Sequence, residues 1–327
     1  MLKQIINGRI LTPQGWLKGG SVIIDGNKIK AVSNIDLHIE GAEIIDAKGC
    51  TVVPGGVDMH VHGGGGRDFM EGTEEAFRVA VNAHMKHGTT SIFPTLSSST
   101  VEMIEAACQT CGKLMAEENS AVLGLHLEGP YFNPAQAGAQ IPEWIKAPVP
   151  SEYVPLLSTY SCIKRWDEAP ELPGSVEFIK TCKKHGVLPA IAHTHATYEN
   201  VLQGFEAGMT HATHFYNAMP VVYKEHEFKV PGTVESIYAL QDMTVEVIAD
   251  GDIAFDPRVI LEDGVCKLAD HSALAGSIAT MDRLIRTCVQ KAKIPMEDAC
   301  RMASETPAKI MGVFDRKGSL EDGKDAD

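Results

Sequence analysis

Two histidines, His60 and His62, stand one residue apart in PGGVDMHVHGGGG (Pro54 to Gly66), at the end of an apolar run. In a strand, residues i and i+2 point to the same side, so both imidazoles face one way. Imidazoles so placed serve as metal ligands or proton carriers. The glycines at 63–66 carry no side chains, which lets the backbone approach a ligand closely. Further along, Glu128 ends the run VLGLHLEGP, His193 ends PAIAH, and His214 lies in THATHFYN. A carboxylate at the end of an apolar run is paired, metal-bound or badly desolvated. Two imidazoles and a carboxylate form an N₂O set suited to Zn²⁺ or Fe²⁺ with a position open for water. A polar core network is the competing reading, and it requires three strand termini to converge by accident. His126, His195 and His211 read as supporting or solvent-facing histidines.

The elements that must position these residues follow from hydrophobic rhythm. Residues 1–53 read as short strands punctuated by Gly and Asn, a β-meander. From Gly55, short apolar runs alternate with amphipathic helical segments such as EEAFRVAVNAHMKHG and TYENVLQGFEAG. That alternation means a parallel α/β fold. Polar residues fall at nearly every strand end, which favours a (β/α)8 TIM-type barrel over a doubly wound sheet with one switch point. The expected organisation is a barrel over 54–311 and a small β-sandwich domain built from both chain ends, 1–53 with 312–327. Seven barrel strands can be counted, the seventh ending in TVEVIADG.

Bulk properties narrow the function. The chain has 327 residues and a net charge of −14, which argues against nucleic acid or an anionic membrane as the main partner. The N-terminus MLKQIINGRI lacks the apolar core and cleavage site of a secretory signal. No run of about eighteen apolar residues predicts a membrane span. Eight scattered cysteines then read as reduced, mostly buried thiols of a cytoplasmic protein. Cys108 and Cys111 form a C-x-x-C inside a helical segment and read as packing residues.

Taken together, PGGVDMHVHGGGG, GLHLEGPYFNP, AHTHAT, THATHFYNAMP, IADG and LAGSIATMD resemble the amidohydrolase superfamily, and within it the deacetylases of amino-sugar phosphates. The resemblance covers nearly the whole chain, and HLEGP and ATHFYNAMP are far more specific than H-x-H alone. It implies a metal-dependent hydrolase that removes acetate from N-acetylglucosamine 6-phosphate, working as a homodimer. It implies that Glu128, His193 and His214 bind the main divalent transition metal, Zn or Fe. His60 and His62 match a pair that holds a second ion in some members. Ala139 and Gln140, Asn217 and Ala218, and Asp250 and Gly251 match positions around the sugar. Leu274, Ala275 and Gly276 match a loop that closes over it.

Three departures qualify the resemblance. The aspartate that serves the family as general base at the end of the eighth strand has no match, and Asp270 in KLADHSALAG is a false one. A strand with its crossover helix takes about 30 residues, and about that many are missing after Asp250. The expectation is therefore a break in the chain between about Gly251 and Ile253, with the base outside the sequence. Likewise GKDAD should lead into a further β strand. Gln140 stands where the family usually has a histidine, and Gln cannot titrate. The basic residue expected to grip the phosphate is His226 or Lys229. Another amidohydrolase activity, or a barrel that binds without catalysing, stays open at this point.

Overall fold

A computed structural model describes all residues except 36, 38, 250–258, 263–264, 269–276 and 278; of 259–262 and 265–268 it describes the backbone only. The expected substrate positions Asp250, Gly251, Leu274, Ala275 and Gly276, the false match Asp270, and the expected break near 251–253 all lie outside the described residues.

Two compact units divide the chain. The first comprises Met1–Met59, His84–Ile92 and Thr280–Asp327. It holds β1 (Leu2–Ile6), β2 (Arg9–Thr12), β3 (Gly15–Lys18), β4 (Ser21–Asp25), β5 (Lys28–Ser33), β6 (Glu43–Asp46) and β7 (Thr51–Val52). They form a four-stranded sheet in the order β5-β4-β1-β6 and a three-stranded sheet β3-β2-β7. The β4–β5 turn uses Gly26 at φ 61°, a left-handed conformation that costs glycine nothing. Ile10, Val22 and Ile29 form the core here, with Leu320 and Ala326 packed against them. The C-terminal segment is tied to β5: Ile29 N donates to Lys324 O at 2.8 Å, and Lys28 pairs with Asp325 at 2.6 Å.

The second unit comprises His60–Ala83 and Phe93–Ala279. The strands that matter for the site are β8 (Gly56–Val61), the short pair β9 (Gly63–Gly64) and β10 (Arg67–Asp68), then β11 (Thr89–Leu96), β12 (Leu125–Glu128), β13 (Ile163–Glu168), β14 (Leu188–Ile191) and β15 (His211–Ala212). A hairpin follows, β16 (Tyr223–Glu225) and β17 (Phe228–Val230), and then β18 (Thr244–Val245). Seven strands lie side by side in the order β18-β15-β14-β13-β12-β11-β8. Consecutive strands from β11 to β15, and β15 with β18, pair in parallel. This is a parallel half-barrel sheet, and its seven strands are the seven apolar runs of the sequence.

Helices join the strands where the periodicity changes to 3.6: α1 (Glu74–Met85), α2 (Val101–Met115), α3 (Pro150–Thr159), α4 (Ser175–Lys184), α5 (Tyr198–Ala207) and α6 (Thr233–Tyr238). Their ends are specified locally. Thr100 caps α2, Thr197 and Asn200 form a capping box on α5, and Gly208 ends α5 at φ 115°. Cys108 and Cys111 are both buried on α2. Cys162, Cys182, Cys288 and Cys300 are buried too, whereas Cys50 is exposed, and none of these is in a disulfide. Among the described residues no helix is long and apolar enough to cross a membrane.

Candidate metal centre

The strand ends bring the predicted ligands together. Glu128 is the last residue of β12, His193 lies two residues past β14, and His214 two past β15. Glu128 Oε1 is 3.2 Å from His193 Nε2 and 3.1 Å from His214 Nε2, and the two nitrogens are 3.2 Å apart. All three residues are buried. His60 and His62 open a second group around the same carboxylate. Their Nε2 atoms are 3.2 Å apart, His60 Nε2 is 3.6 Å from Glu128 Oε1, and His62 Nε2 is 3.3 Å from Glu128 Oε2. Both groups have the proximity a metal ion requires.

The protonation pattern tests whether a cation fits. His193 Nδ1 lies 2.8 Å from the carbonyl oxygen of Gln136, an acceptor only, so Nδ1 carries the hydrogen. Its Nε2 then turns a lone pair toward Glu128 Oε1 and His214 Nε2. Likewise His60 Nδ1 lies 2.7 Å from Glu246 Oε1, so its Nε2 turns toward His62 Nε2 and Glu128 Oε1. Acceptors facing one another at such distances repel unless a proton or a cation lies between them. Tetrahedral zinc, with bonds of about 2.0–2.1 Å, sets its ligand atoms about 3.3 Å apart. The donor set and its spacing therefore suit such an ion.

Charge in the site is organised around Glu128. Burial would raise its pKa, but the surrounding histidines, His60 foremost, outweigh burial and hold it well below the usual carboxylate range. Burial opposes charge on His62 and His214, yet the Glu128 carboxylate wins and raises both. The backbone is also constrained here. His193, His214, Tyr216 and Ala218 all have positive φ, at 44°, 29°, 78° and 52°. Four such residues in one stretch of site indicate strain held by surrounding contacts. Thr194 N donates to Ala218 O at 3.1 Å, and Asn217 Nδ2 to His214 O at 3.2 Å.

Other predicted positions are resolved individually. Gln140 is buried; its Oε1 accepts from Ser98 N at 2.7 Å and its Nε2 donates to Glu128 Oε2 at 2.8 Å. It thus steadies the Glu128 carboxylate. Ala139 beside it is half-buried, while His226 is exposed in the β16–β17 turn. His195 is exposed, and His211 is buried with Nδ1 on Thr244 at 2.8 Å. Of the glycines after His62, Gly63 has a structural task, whereas Gly66 faces open space. A Cβ on Gly63 would sit 2.2 Å from Arg67 O, and Gly65 and Gly66 turn at φ 60° and 82°. They build the tight β9–β10 pair.

Sequence reasoning missed a charged layer inside the half-barrel. Arg165 and Asp167 alternate with Trp166 on β13, and so share one face; both are fully buried. Arg165 binds Asp167 through Nε and Nη2 at 2.9 and 3.2 Å, and Glu246 through Nη1 and Nη2 at 2.7 and 3.1 Å. Thr213 donates to Asp167 at 2.7 Å, and His126 Nε2 lies 2.9 Å from Asp167 Oδ1. Burial, reinforced by Arg165, pushes His126 down to about 3, so it is neutral. The available signal was the charge in KRWDE and TVEVIADG, where a buried strand should be apolar.

The half-barrel with candidate metal ligands at its strand ends suits a metal-dependent hydrolase, and the chain belongs to the amidohydrolase family, whose model matches residues 51–327. Particular relatives are named for one kind of reaction. The chain is 30% identical to the N-acetylglucosamine-6-phosphate deacetylase of Bacillus subtilis (strain 168), over 97% of this chain and 90% of that one. It is 28% identical to the N-acetylgalactosamine-6-phosphate deacetylase of Escherichia coli O157:H7, over 97% of this chain and 92% of that one. Among solved structures, N-acetylglucosamine-6-phosphate deacetylase from Pasteurella multocida superposes with a TM-score of 0.91 at 26% identity, covering 100% of this chain and 94% of that one.

Proposed function

We propose that this chain hydrolyses the acetamide of N-acetylglucosamine 6-phosphate, giving glucosamine 6-phosphate and acetate, with zinc or iron as cofactor. The observation that carries the reading is the convergence of Glu128 Oε1, His193 Nε2 and His214 Nε2 within 3.1–3.2 Å of one another. These three would hold the main ion, and His60, His62 and Glu128 a second one. A divalent ion in such a site lowers the pKa of bound water and polarises a carbonyl. The chain's own residues supply order. The Gln136 carbonyl fixes the His193 tautomer, and Gln140 holds the Glu128 carboxylate. Asn217, Ala218 and Ala139 would wall the sugar. His226, with Lys229 as the other candidate, would meet the phosphate within a homodimer. The family relatives support the reaction, and the described cysteines, none of them in a disulfide, suit a cytoplasmic location. The same reading takes the seven-strand row as part of an eight-stranded barrel, and residues 1–53 with 312–327 as a small β-sandwich domain.

Two observations favour a second reading, a metal-binding amidohydrolase without this catalysis. The sequence offers no general-base aspartate. The alignment to the Bacillus subtilis relative also runs over 371 positions, more than the chain's 327 residues, so that relative has internal segments without counterpart here. Elemental analysis combined with acetate release from N-acetylglucosamine 6-phosphate and its galacto epimer decides between them. The proposal expects metal in the wild type, acetate from the gluco substrate, and loss of both in H193A. Full metal occupancy in H193A would remove the ligand assignment. Metal without acetate from either sugar would select the second reading.

A further inference from the structure

We infer that Glu246 is a positioning residue for both metal positions at once, linking His60 of one ligand group to His214 of the other. The inference rests on the metal-binding part of the proposed function and not on its substrate.

Glu246 directly follows β18, at the edge of the described sheet. Its backbone continues the pairing with the β15 segment: Glu246 N donates to Ala212 O at 3.0 Å, and Phe215 N donates to Glu246 O at 2.7 Å. That register aims the side chain across the half-barrel. Oε1 accepts from His60 Nδ1 at 2.7 Å and from the backbone N–H of His214 at 3.1 Å. Oε2 accepts from Arg165 Nη1 at 2.7 Å and lies 3.5 Å from His211 Nε2. One carboxylate therefore ties β8, β13 and the segment after β15.

The two contacts of Oε1 do different things. The bond to His60 selects the tautomer and the ring angle, so that Nε2 faces Glu128. A carboxylate behind a metal-bound imidazole also raises the basicity of the coordinating nitrogen. The bond to the His214 N–H holds a residue at φ 29°, a conformation that a non-glycine residue keeps only when its surroundings impose it. His60 belongs to the group formed with His62 and Glu128, and His214 to the group formed with Glu128 and His193. Glu128 is the ligand common to the two groups. Glu246 touches a member of each from behind. Arg165 keeps that carboxylate in place with its fork, so the oxygen that meets His60 and His214 cannot swing away.

The experiment uses the full chain stripped of metal and titrated with Zn²⁺ alone by calorimetry, with stoichiometry checked by elemental analysis. The variants are E246Q, E246D and, for comparison, D167N. Asp167 shares Arg165 with Glu246, and its other contacts go to Thr213 and His126. E246Q is expected to weaken zinc binding at both positions by roughly 10- to 100-fold, the effect of losing such a supporting partner. E246D, one methylene shorter, keeps the negative charge for Arg165 but not the reach to His60, and is expected to show the same loss. D167N is expected to bind zinc within about twofold of the wild type. If E246Q does not fold, E246D decides. Wild-type zinc affinity at both positions in a folded Glu246 variant would overturn the inference, as would a loss in D167N equal to that in the Glu246 variants, since a general packing role would produce it. Acetate release is not read, so failure of the substrate assignment leaves this outcome intact, and zinc failing to bind the wild type would defeat the proposed function first.

Discussion

Replacing Arg165 by methionine removes the guanidinium that bridges two carboxylates inside the half-barrel. Arg165 and Asp167 have no exposure, and the guanidinium makes two forks, one on Asp167 and one on Glu246, at 2.7–3.2 Å. Methionine matches the volume but leaves both carboxylates without their main partner. Breaking a buried ion pair from one side costs about 3–5 kcal/mol, because the remaining charge stays buried. That is a large part of the ~5–15 kcal/mol by which a domain is stable. At roughly 2 °C per kcal/mol for a chain of this length, the metal-free protein should unfold on the order of 6–10 °C lower. Lysine should rescue only partly, since a single ammonium cannot make two planar forks. Thermal unfolding followed by circular dichroism reads both variants. If R165M unfolds within about 2 °C of the wild type, the layer is not held by this cation. If R165K is fully stable, charge alone suffices and the fork geometry is irrelevant.

Two further outcomes are expected. Glu168 is fully buried with Ser175 as its hydroxyl partner at 2.6 Å; burial, aided by Glu171, pushes its carboxyl up to about 8. Because the folded pKa lies above the unfolded one, the folded state keeps the proton. Stability from this group is complete below about 4.5 and falls as pH rises toward 8, by up to ~1.4 kcal/mol per unit. E168Q cannot titrate, so its melting temperature should gain on the wild type from pH 5 to 8; a constant difference across that range would contradict the assignment. For the β9–β10 turn, G63A places a methyl 2.2 Å from the Arg67 carbonyl oxygen and should cost ~1–3 kcal/mol by overpacking. An unchanged melting temperature in G63A would mean that the hairpin does not need this glycine.

Much of the molecule is written in short-range pattern. The seven apolar runs from GVDMHVHG to MTVEVIADG became the seven neighbouring strands, in sequence order, because each alternation of strand and helix dictates the next parallel neighbour. Helix ends at Thr100, Thr197 and Gly208 are set locally, because a cap is a contact between residues three or four apart. Glu128, His193 and His214 were legible for a related reason: a polar residue at the end of an apolar strand has few destinations other than the rim of the sheet, and parallel strands share one rim. Tertiary structure alone decided what each polar group faces. Gln140 reads as a lining residue until its amide is seen between Ser98 N and Glu128. Gly63 reads as room for a ligand until the Arg67 carbonyl is seen to occupy the place of its Cβ. Arg165 and Asp167 in KRWDE, and Glu246 in TVEVIADG, lie in two sequence contexts that say only that a charge interrupts a strand. Their partnership depends on the register of β13 against strands up to 81 residues away, and that register is set by backbone pairing and core packing summed over the whole sheet, which no local window of sequence contains.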